Sequence, residues 1–445
     1  MLKNDTSMPA NTNAKQDHPL QESALRGRTL SEKILSRAAG RPLRAGELAI
    51  CSPDVAMGTD GSIPMALDYL ERMRPGNAAP RHPDRLVFAL DHYGSSSGAK
   101  AQALQTRARA YALAYGVRVF DEAEGIGHQL ILETGAARPG LLLVGADSHS
   151  TSYGAVNAFA TGIGSSDLAG VLMCGQLWLK VPETVKVVLY GRLRMSASAK
   201  DVALWLARKY GADGASYRAL EFTGPGVAGL DMDDRIVLSN MSVELGAKAG
   251  IFPFDAVTAA WMAGHTGSAY QPVQADNDAI YADILEVDLD QVVPQIALPH
   301  RVDNVVDAHD VPYTAIDMVY LGTCTGGRVK DYEEALDELR RGGGIAKGVR
   351  VVVTPASEAV RETLESSGML AEFMALGATI QPPGCGSCCG TCGTVPANGE
   401  RVISTANRNF KGRMGNAEAS IYLASPRMCA AAAVRGSIGG DGRSA

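Results

Sequence analysis

Short apolar runs that each end in a polar or glycine-rich turn recur along this chain and limit the folds open to it. Continuous apolar runs of about 4–8 residues are typical of strands buried on both faces of a largely parallel sheet. The clearest of them occupy residues 85–90, 141–146, 318–322 and 378–380. The sequence therefore predicts buried parallel strands, each followed by a turn that carries polar or thiol side chains.

Helical patterns lie between these runs, at residues 99–115, 166–180, 198–210, 331–341 and 357–368. Strands that alternate with helices predict an α/β fold, whose ligands bind beyond the carboxyl ends of the strands. A chain of 445 residues is long enough for two or three domains. We expect a polar disordered tail at residues 1–27, followed by α/β domains at 28–189, 190–304 and 305–445.

The first ordered element is expected to be a helix. Thr29 precedes it and Glu32 follows three residues later, which is the pattern of a capping box. Gly40 is suited to the left-handed conformation that ends many helices.

The composition excludes several classes of protein. The net charge is −6, which argues against a nucleic-acid surface. No apolar run is long enough to cross a membrane, and the N-terminal residues lack the apolar core of a signal peptide. Most of the eight cysteines are scattered, unlike a secreted disulfide framework. We therefore expect a cytoplasmic protein that has no contact with membranes or nucleic acid.

The densest group of thiols occurs in the glycine-rich segment 384–392, with Cys385, Cys388, Cys389 and Cys392. Soft thiolates favour zinc or an iron–sulfur cluster. Two CxxC pairs placed back to back close poorly around one zinc ion, and the spacings do not match the bacterial ferredoxin run. A redox CxxC would open a helix rather than lie in a Gly/Pro loop. A non-catalytic zinc or redox metalloprotein stays open as an alternative.

Cys324 stands alone at the end of an apolar run, in the turn Gly-Thr-Cys-Thr-Gly-Gly. Most single cysteines of this kind are small buried hydrophobic residues. Together with Cys385 and Cys388, however, Cys324 would hold a cubane cluster and leave one iron without a thiolate. Such an iron is a Lewis acid able to bind a hydroxyl and a carboxylate.

Two of the polar turns place a carboxylate beside an imidazole, as Asp91-His92 and as Asp147-Ser148-His149. A neighbouring aspartate fixes the tautomer of a histidine and raises its basicity, which suits proton transfer. An exposed Asp-His pair is usually only surface decoration, but two pairs at strand ends favour a functional interpretation. His128, taken alone, has the features of a core histidine.

Arg408 and Arg413 lie near each other in the polar segment 407–413. Paired arginines beside glycine and asparagine suit the bidentate capture of a carboxylate, although most arginine runs are solvated surface. Glu244, in the segment 240–246, is equally compatible with an ordinary position on a helix face.

Taken together, these motifs resemble the aconitase superfamily, most closely the large subunits of 3-isopropylmalate dehydratases of the shorter, archaeal-like type. The resemblance extends from about Thr29 to Ile438, and the motifs occur in the family's order. They occupy residues 145–150, 162–167, 180–184, 224–226, 240–246, 322–325, 384–390 and 407–413.

The resemblance implies three α/β/α domains of aconitase type around a [4Fe–4S] cluster, with Cys324, Cys385 and Cys388 as ligands. The fourth iron would bind substrate and water. The implied catalytic residues are Asp91, His92, His128, Asp147, His149 and Glu244. The implied substrate-binding residues are Ser148, Asn240, Asn407, Arg408 and Arg413.

The activity implied by the resemblance is that of a hydro-lyase of leucine biosynthesis, acting on a hydroxy di- or tricarboxylate such as 3-isopropylmalate. Homoaconitate, dimethylmalate, citraconate and aconitate-like acids are the alternative substrates. The family's swivelling domain has no equivalent after residues 425–428, so a separate small subunit is implied, in a heterodimer. It would supply a serine base and a further arginine.

This sequence departs from the family's pattern at four positions near the motifs. Thr59 and Gly326 stand where relatives usually carry His and Asn, Cys389 replaces an apolar residue, and Ala406 replaces a Ser. None is an implied cluster ligand. Thr59 and Gly326 are expected close to the substrate, so they bear on which hydroxyacid is used.

Overall fold

The computed structural model describes residues 26–94 and 97–439. Most of the tail expected at residues 1–27 lies outside these ranges. Gly27 is described and is ordered, because it forms a parallel β-bridge with Ala279. The helices are α1 (Leu30–Ala39), α2 (Ile63–Met73), α3 (Gly98–Tyr115), α4 (Gly127–Glu133), α5 (Ser165–Cys174), α6 (Ala199–Tyr210), α7 (Met232–Met241), α8 (Ala256–His265), α9 (Val329–Gly342), α10 (Glu358–Ser366), α11 (Met369–Ala375) and α12 (Pro426–Arg435).

A five-stranded, fully parallel sheet occupies the first part of the chain. Its strand order is β4-β3-β2-β5-β6. Three of its strands, β2, β3 and β5, are buried along their whole length, and the continuous apolar runs predicted β3 and β5. The strands are β2 (Val55–Thr59), β3 (Leu86–Ala89), β4 (Arg118–Phe120), β5 (Leu142–Gly145) and β6 (Phe159–Gly162).

A second parallel sheet has the order β10-β9-β8-β11. Its apolar residues share one core with residues of the third sheet, among them Val187, Phe222, Tyr320 and Val402. This shared core fixes how the second and third sheets lie against each other. The strands of the second sheet are β8 (Thr184–Tyr190), β9 (Ala219–Thr223), β10 (Ala249–Ile251) and β11 (Asp283–Asp288).

The third sheet has the order β13-β12-β19-β18-β15-β16-β17. Its strands are parallel from β19 to β17, whereas β12 pairs antiparallel with both β13 and β19. The strands are β12 (Gln295–Ala297), β13 (Val305–Asp307), β15 (Met318–Leu321), β16 (Arg350–Val353), β17 (Thr379–Ile380), β18 (Arg401–Ser404) and β19 (Ser420–Leu423). Two antiparallel ribbons complete the strands described: β1 (Leu48–Cys51) with β7 (Leu177–Lys180), and β14 (Thr314–Ala315) with β20 (Ser437–Ile438).

Most of the predicted elements are confirmed. Helix α1 has the expected capping box at Thr29 and Glu32 and ends at Gly40, whose φ is 68°. The helix predicted at 166–180 is wrong beyond Cys174, because Gly175 adopts φ 73° and ends it. The residues that follow form β7, with alternating burial. The domain limits at 189 and 304 stay a prediction. None of the described helices combines the length and the apolar character needed to cross a membrane.

The turns at the carboxyl ends of the strands lie together. Asp60 follows β2, Asp91 follows β3 and Asp147 follows β5 in the first sheet. In the third sheet Cys324 follows β15 and Asn407 follows β18. The first and third sheets therefore direct these turns towards one another, and the contacts between them form the site described below.

A short 3-10 helix, Ser148–Val156, packs backbone to backbone against β10. A Cβ atom at Gly154 would overlap the carbonyl group of Gly250. Phe252 N–H donates to the carbonyl of Gly154, which holds the two segments at this distance. Since the 3-10 helix carries Ser148 and His149, this close approach sets the position of both side chains.

We expect Gly154→Ala to destabilise the protein by about 3 kcal/mol or more, because the added methyl group has no space. Gly170→Ala is the matched control, since a Cβ there meets no atom within 4 Å. In helix α5 that change should stabilise by about 0.5–1 kcal/mol. Parallel thermal unfolding scans of the two variants test this, and equal melting temperatures would contradict it.

Candidate active site

Asp147 is the centre of the site, because three histidines from separate turns contact its carboxylate. His128 Nε2 lies 2.9 Å from Asp147 Oδ1, and His92 Nε2 lies 3.4 Å from Oδ2. The backbone N–H of His149 donates to Oδ1 at 2.9 Å, and Nδ1 of the same residue lies 3.6 Å away. The position of Asp147 as N-cap of the 3-10 helix produces the backbone contact.

Asp91 holds His92 from the opposite side. Asp91 Oδ1 lies 2.8 Å from His92 Nδ1, and Oδ2 accepts the backbone N–H of Gly127 at 2.8 Å. His92 is thus held between two carboxylates, those of Asp91 and Asp147. This arrangement fixes the plane of the ring and leaves either nitrogen able to exchange a proton with a carboxylate.

A second chain of contacts runs from His149 away from Asp147. His149 Nε2 lies 2.8 Å from Glu244 Oε1, and Arg408 Nε donates to both oxygens of Glu244 at 2.8 and 3.0 Å. Glu244 is buried and lies in the short 3-10 helix Ser242–Leu245. It is therefore part of the site and does not occupy an exposed helix face.

The contacts between the carboxylates and the imidazoles shift the pKa values of Asp147 and His92. Burial would raise the pKa of Asp147, but hydrogen bonds with His128, His149 and His92 outweigh it and hold the pKa well below its usual range. Burial opposes protonation of His92, yet the charge of Asp91 and the contacts with Asp147 raise its pKa well above the usual value. The resting site therefore favours carboxylates that are ionised and a His92 that is charged.

Three thiols face the same cavity as these imidazoles. Cys324 and Cys388 are buried and Cys385 is partly exposed. The ligand atoms of Asp91, His92 and Cys385 all lie within 4.8 Å of one another, so one of these thiols lies against the Asp91-His92 pair. The described residues that line the cavity are His92, His128, Asp147, Ser148, His149, Thr323, Cys324, Cys385, Cys388, Asn407, Arg408 and Arg413.

Amide and guanidinium groups surround the sulfur atoms. Asn240 Nδ2 and Asn407 Nδ2 donate to Cys324 Sγ at 3.1 and 3.2 Å, and Arg413 Nη2 lies 3.5 Å from Cys388 Sγ. Burial raises the pKa of Cys324 to about 12, with the neighbouring Cys388 acting in the same sense. The Cys324 thiol does not ionise by itself near neutral pH, yet two amide groups donate to its sulfur. Such donors would stabilise the thiolate that forms when the sulfur binds a metal.

The turn that carries Cys324 is held in an unusual conformation. Thr323 has φ 77°, a left-handed value that is costly for a β-branched residue. Its hydroxyl contacts the hydroxyl of Thr325 at 3.1 Å and accepts the backbone N–H of Thr325 at 3.2 Å. These contacts hold the strained turn and direct Cys324 into the cavity.

Cys389 and Cys392 do not line this cavity. Cys389 Sγ lies 3.5 Å from the carbonyl oxygen of His92, and Cys392 Sγ lies 3.2 Å from that of Gly386. The four cysteines of segment 384–392 therefore do not converge within the described residues, which removes the geometry that a four-cysteine zinc site needs.

Two buried residues of the site were missed by the sequence interpretation. Asp60 accepts the backbone N–H groups of His92 and Tyr93 at 3.3 and 3.0 Å, and Gln105 Nε2 at 3.1 Å. Burial raises the pKa of Asp60 to about 6, and the charge of Asp91 adds to the effect. Its position directly after the apolar run of β2 was the available signal.

Lys200 is the other residue that was missed. Its ammonium group donates to the carbonyl oxygens of Ala406 at 2.6 Å and Thr405 at 3.1 Å, and to the Thr325 hydroxyl at 3.3 Å. It joins the loop of Cys324 to the loop of Asn407. Burial lowers its pKa to about 8. No local pattern separates this lysine from surface lysines of an amphipathic helix.

Comparisons with known proteins agree with the geometry. Residues 32–436 match the aconitase family (aconitate hydratase). The chain is 43% identical to 3-isopropylmalate dehydratase large subunit 1 of Thermotoga maritima, over 93% of this chain and 98% of that protein. It is 43% identical to the homoaconitase large subunit of Thermus thermophilus, with 92% and 96% covered. Identity to the 2,3-dimethylmalate dehydratase large subunit of Eubacterium barkeri is 40%, with 93% and 98% covered.

The chain therefore belongs to the aconitase family. Within this family it is a hydro-lyase, an enzyme that removes water to form a carbon–carbon double bond or adds water across that double bond. The expected fold class is confirmed, and family membership implies an iron–sulfur cluster. The described residues fit such a group, because three thiols line one cavity and side-chain N–H groups donate to two of them.

We expect Lys200→Met to destabilise the protein by about 3 kcal/mol, because buried carbonyl groups lose a charged donor. Lys100→Met, at an exposed position of helix α3, should change stability by less than about 0.5 kcal/mol. Urea unfolding of both variants measures the difference. An unchanged midpoint for Lys200→Met would show that the ammonium group does not stabilise the two loops.

Proposed function

We propose that the protein interconverts hydroxy di- or tricarboxylates of the 3-isopropylmalate type by loss and readdition of water, using a [4Fe–4S] cluster bound by Cys324, Cys385 and Cys388. The observation that carries the proposal is one cavity shared by three thiols, an Asp/His network and two arginines. When bound, the cluster would supply a Lewis-acidic iron that has no cysteine ligand and polarises the substrate hydroxyl.

Arg408 and Arg413 are proposed to bind the substrate carboxylates. Both guanidinium groups line the cavity, and Nε of Arg413 is buried without a hydrogen-bond partner among the described residues. A buried unpaired donor is costly, so an anion in the cavity would be stabilised by it. Arg408 is held in place by its two contacts with Glu244, which leaves its other N–H groups available.

The Asp/His network is proposed to carry the protons that accompany the loss of water. Hydroxide is a poor leaving group, so an acid must protonate it as the carbon–oxygen bond breaks. His92 is suited to this role, since Asp91 and Asp147 keep it charged. His149 and Glu244 offer a second path from Asp147 to Arg408. His128, which also contacts the Tyr153 hydroxyl at 2.9 Å, is proposed to orient Asp147.

A separate small subunit is proposed to complete the site and to supply the base that removes the proton from the adjacent carbon. The relatives compared above are all named large subunits, which supports a two-subunit enzyme. The cavity side chains Cys385 and Arg413 are partly exposed, so a second chain has access to the site. Cytoplasmic location and a role in leucine biosynthesis are part of the same proposal.

The relatives' names support a class of substrate rather than one acid, since they include isopropylmalate, homoaconitate and dimethylmalate enzymes. Thr59 directly precedes Asp60 in the chain, and Gly326 lies beside Thr405. A Cβ atom at Gly326 would overlap the Thr405 side chain, so in this chain Thr405 fills the space that an asparagine would need. We propose that glycine in place of asparagine at position 326 shapes the part of the pocket beside the Cys324 turn.

The direct test is an assay of the protein, reconstituted with iron and sulfide and combined with its small subunit, against a panel of hydroxyacids. The panel contains 3-isopropylmalate, homoisocitrate, 2,3-dimethylmalate and citrate, and the alkene product is followed by its ultraviolet absorbance. The proposal predicts turnover of at least one branched hydroxydicarboxylate. Cluster-loaded enzyme without alkene formation from any acid would overturn it.

We expect Cys324→Ala to lose nearly all bound iron and acid-labile sulfide, because two remaining thiols do not hold a cubane cluster. Cys51→Ala is the matched control, since Cys51 is equally buried but packs in an apolar core. Iron and sulfide per chain are measured after identical reconstitution. A zinc site confined to segment 384–392 would instead leave the metal content of the Cys324 variant unchanged.

We expect Asp147→Asn to lower kcat by about 100-fold or more while iron content stays the same, because an amide cannot accept from both rings or stabilise a charged His92. Asp84→Asn, at an exposed position, should leave kcat within about twofold. Steady-state kinetics with the best acid of the panel gives both values. Normal turnover by the Asp147 variant would exclude it from proton transfer.

A further inference from the structure

Cys389 and Cys392 form a thiol pair that the proposed chemistry does not use. Both sulfur atoms contact the carbonyl oxygen of Gly386, at 3.5 Å from Cys389 and 3.2 Å from Cys392. The pair therefore lies on one side of the short 3-10 helix Gly386–Cys389, away from the cavity that Cys385 and Cys388 line.

The backbone between the two cysteines is suited to a disulfide. They are three residues apart, and Gly390 adopts φ 71°, which turns the chain back directly after Cys389. Disulfide bonding requires Cα atoms within about 4.4–6.8 Å of each other, a separation that a tight turn of this spacing provides. Two sulfur atoms that contact the same carbonyl oxygen need only a small movement to bond.

A small oxidant has access to the pair, since both cysteines are partly exposed. Cys392 lines a cavity of about 410 Å³ together with Tyr93, Gly94 and Gly393, which offers a path for a small-molecule disulfide. Cys389 lies against the carbonyl oxygen of His92 and the hydroxyl of Thr391, at 3.5 and 2.8 Å.

We propose that Cys389 and Cys392 are a redox modification site that forms a reversible disulfide by exchange with a small-molecule disulfide such as oxidised glutathione. One of the two sulfurs, after losing its proton, attacks the glutathione disulfide, and one reduced glutathione leaves. The other sulfur then attacks the mixed disulfide, and the second reduced glutathione leaves. The protein loses two electrons and two protons, and the oxidant gains them.

We expect the disulfide to change the position of the His92 backbone, and with it the contacts of the His92 ring. Thr391, which lies between the two cysteines, donates to the carbonyl oxygen of His92, and Ser97 Oγ donates to the carbonyl oxygen of Thr391 at 2.9 Å. Cys389 itself contacts the same His92 carbonyl. A disulfide that closes this turn therefore acts on the backbone that holds His92.

The test treats the cluster-loaded protein with oxidised glutathione under anaerobic conditions, then blocks free thiols with N-ethylmaleimide in acid and maps the cysteines by mass spectrometry. The proposal predicts a disulfide between Cys389 and Cys392, removed by dithiothreitol, with iron content unchanged. Pairing that includes Cys385 or Cys388, or that appears only as iron is lost, would overturn it. So would free thiols at both positions.

Single variants test whether the two thiols act as a pair. In Cys389→Ser and in Cys392→Ser no disulfide should form at this site, and the reaction should stop at a glutathione adduct on the cysteine that remains. In Cys174→Ser, which removes an exposed cysteine elsewhere, the Cys389–Cys392 disulfide should form as in the unchanged protein. A disulfide between the remaining cysteine and Cys385 or Cys388 in either variant would overturn the proposal. The readout is independent of turnover, so a failed substrate assay leaves it intact.

Discussion

The carboxylate of Asp147 is the contact on which the site depends. Its two oxygens are shared by His92, His128 and His149, and His92 and His128 come from turns elsewhere in the chain. A carboxylate that is only 18% exposed needs to be paired and hydrogen-bonded, and two imidazoles and the backbone N–H of His149 meet that need. The same contacts hold each ring in one orientation, so the stability of the acid and the geometry of the site have one cause.

The sheets make this convergence unavoidable. Parallel strands end at one edge, and the polar turns after β2, β3 and β5 consequently emerge side by side. The third sheet presents the turns after β15 and β18 in the same manner. Lys200 joins those two turns from behind with a buried ammonium group. Most of the site therefore lies on rigid strand ends, and the thiol-rich segment 384–392 is the irregular part.

The four thiols of segment 384–392 point in two different directions. Cys385 and Cys388 face the cavity, whereas Cys389 and Cys392 face the carbonyl groups of His92 and Gly386. Adjacent residues of a 3-10 helix point to different sides, so one short turn serves a cluster pocket and a second thiol pair without mixing them. Their shared backbone places the second pair beside His92, which couples its redox state to the position of that residue.

The sequence predicted four of the buried parallel strands, half of the described helices and most of the polar turns. Continuous apolar runs, capping residues and glycines act locally, and they were sufficient for α1, β3, β5 and β15. The failure at β7 came from Gly175, whose left-handed conformation ended a helix that the apolar pattern would have continued. The family motifs likewise named the residues of the cavity, because each motif is contiguous.

Only the tertiary structure decided which of these residues touch. The contacts of Asp60 with His92, of Lys200 with Ala406, and of Glu244 with His149 join segments more than thirty residues apart. No local pattern specifies such contacts, since a buried lysine and an exposed one occupy the same helical spacing. The direction of each cysteine side chain was decided at the same level, by the packing of the segment against His92 and Gly386. The sequence alone supplies the candidate site residues. Packing between distant segments decides which of those residues contact one another.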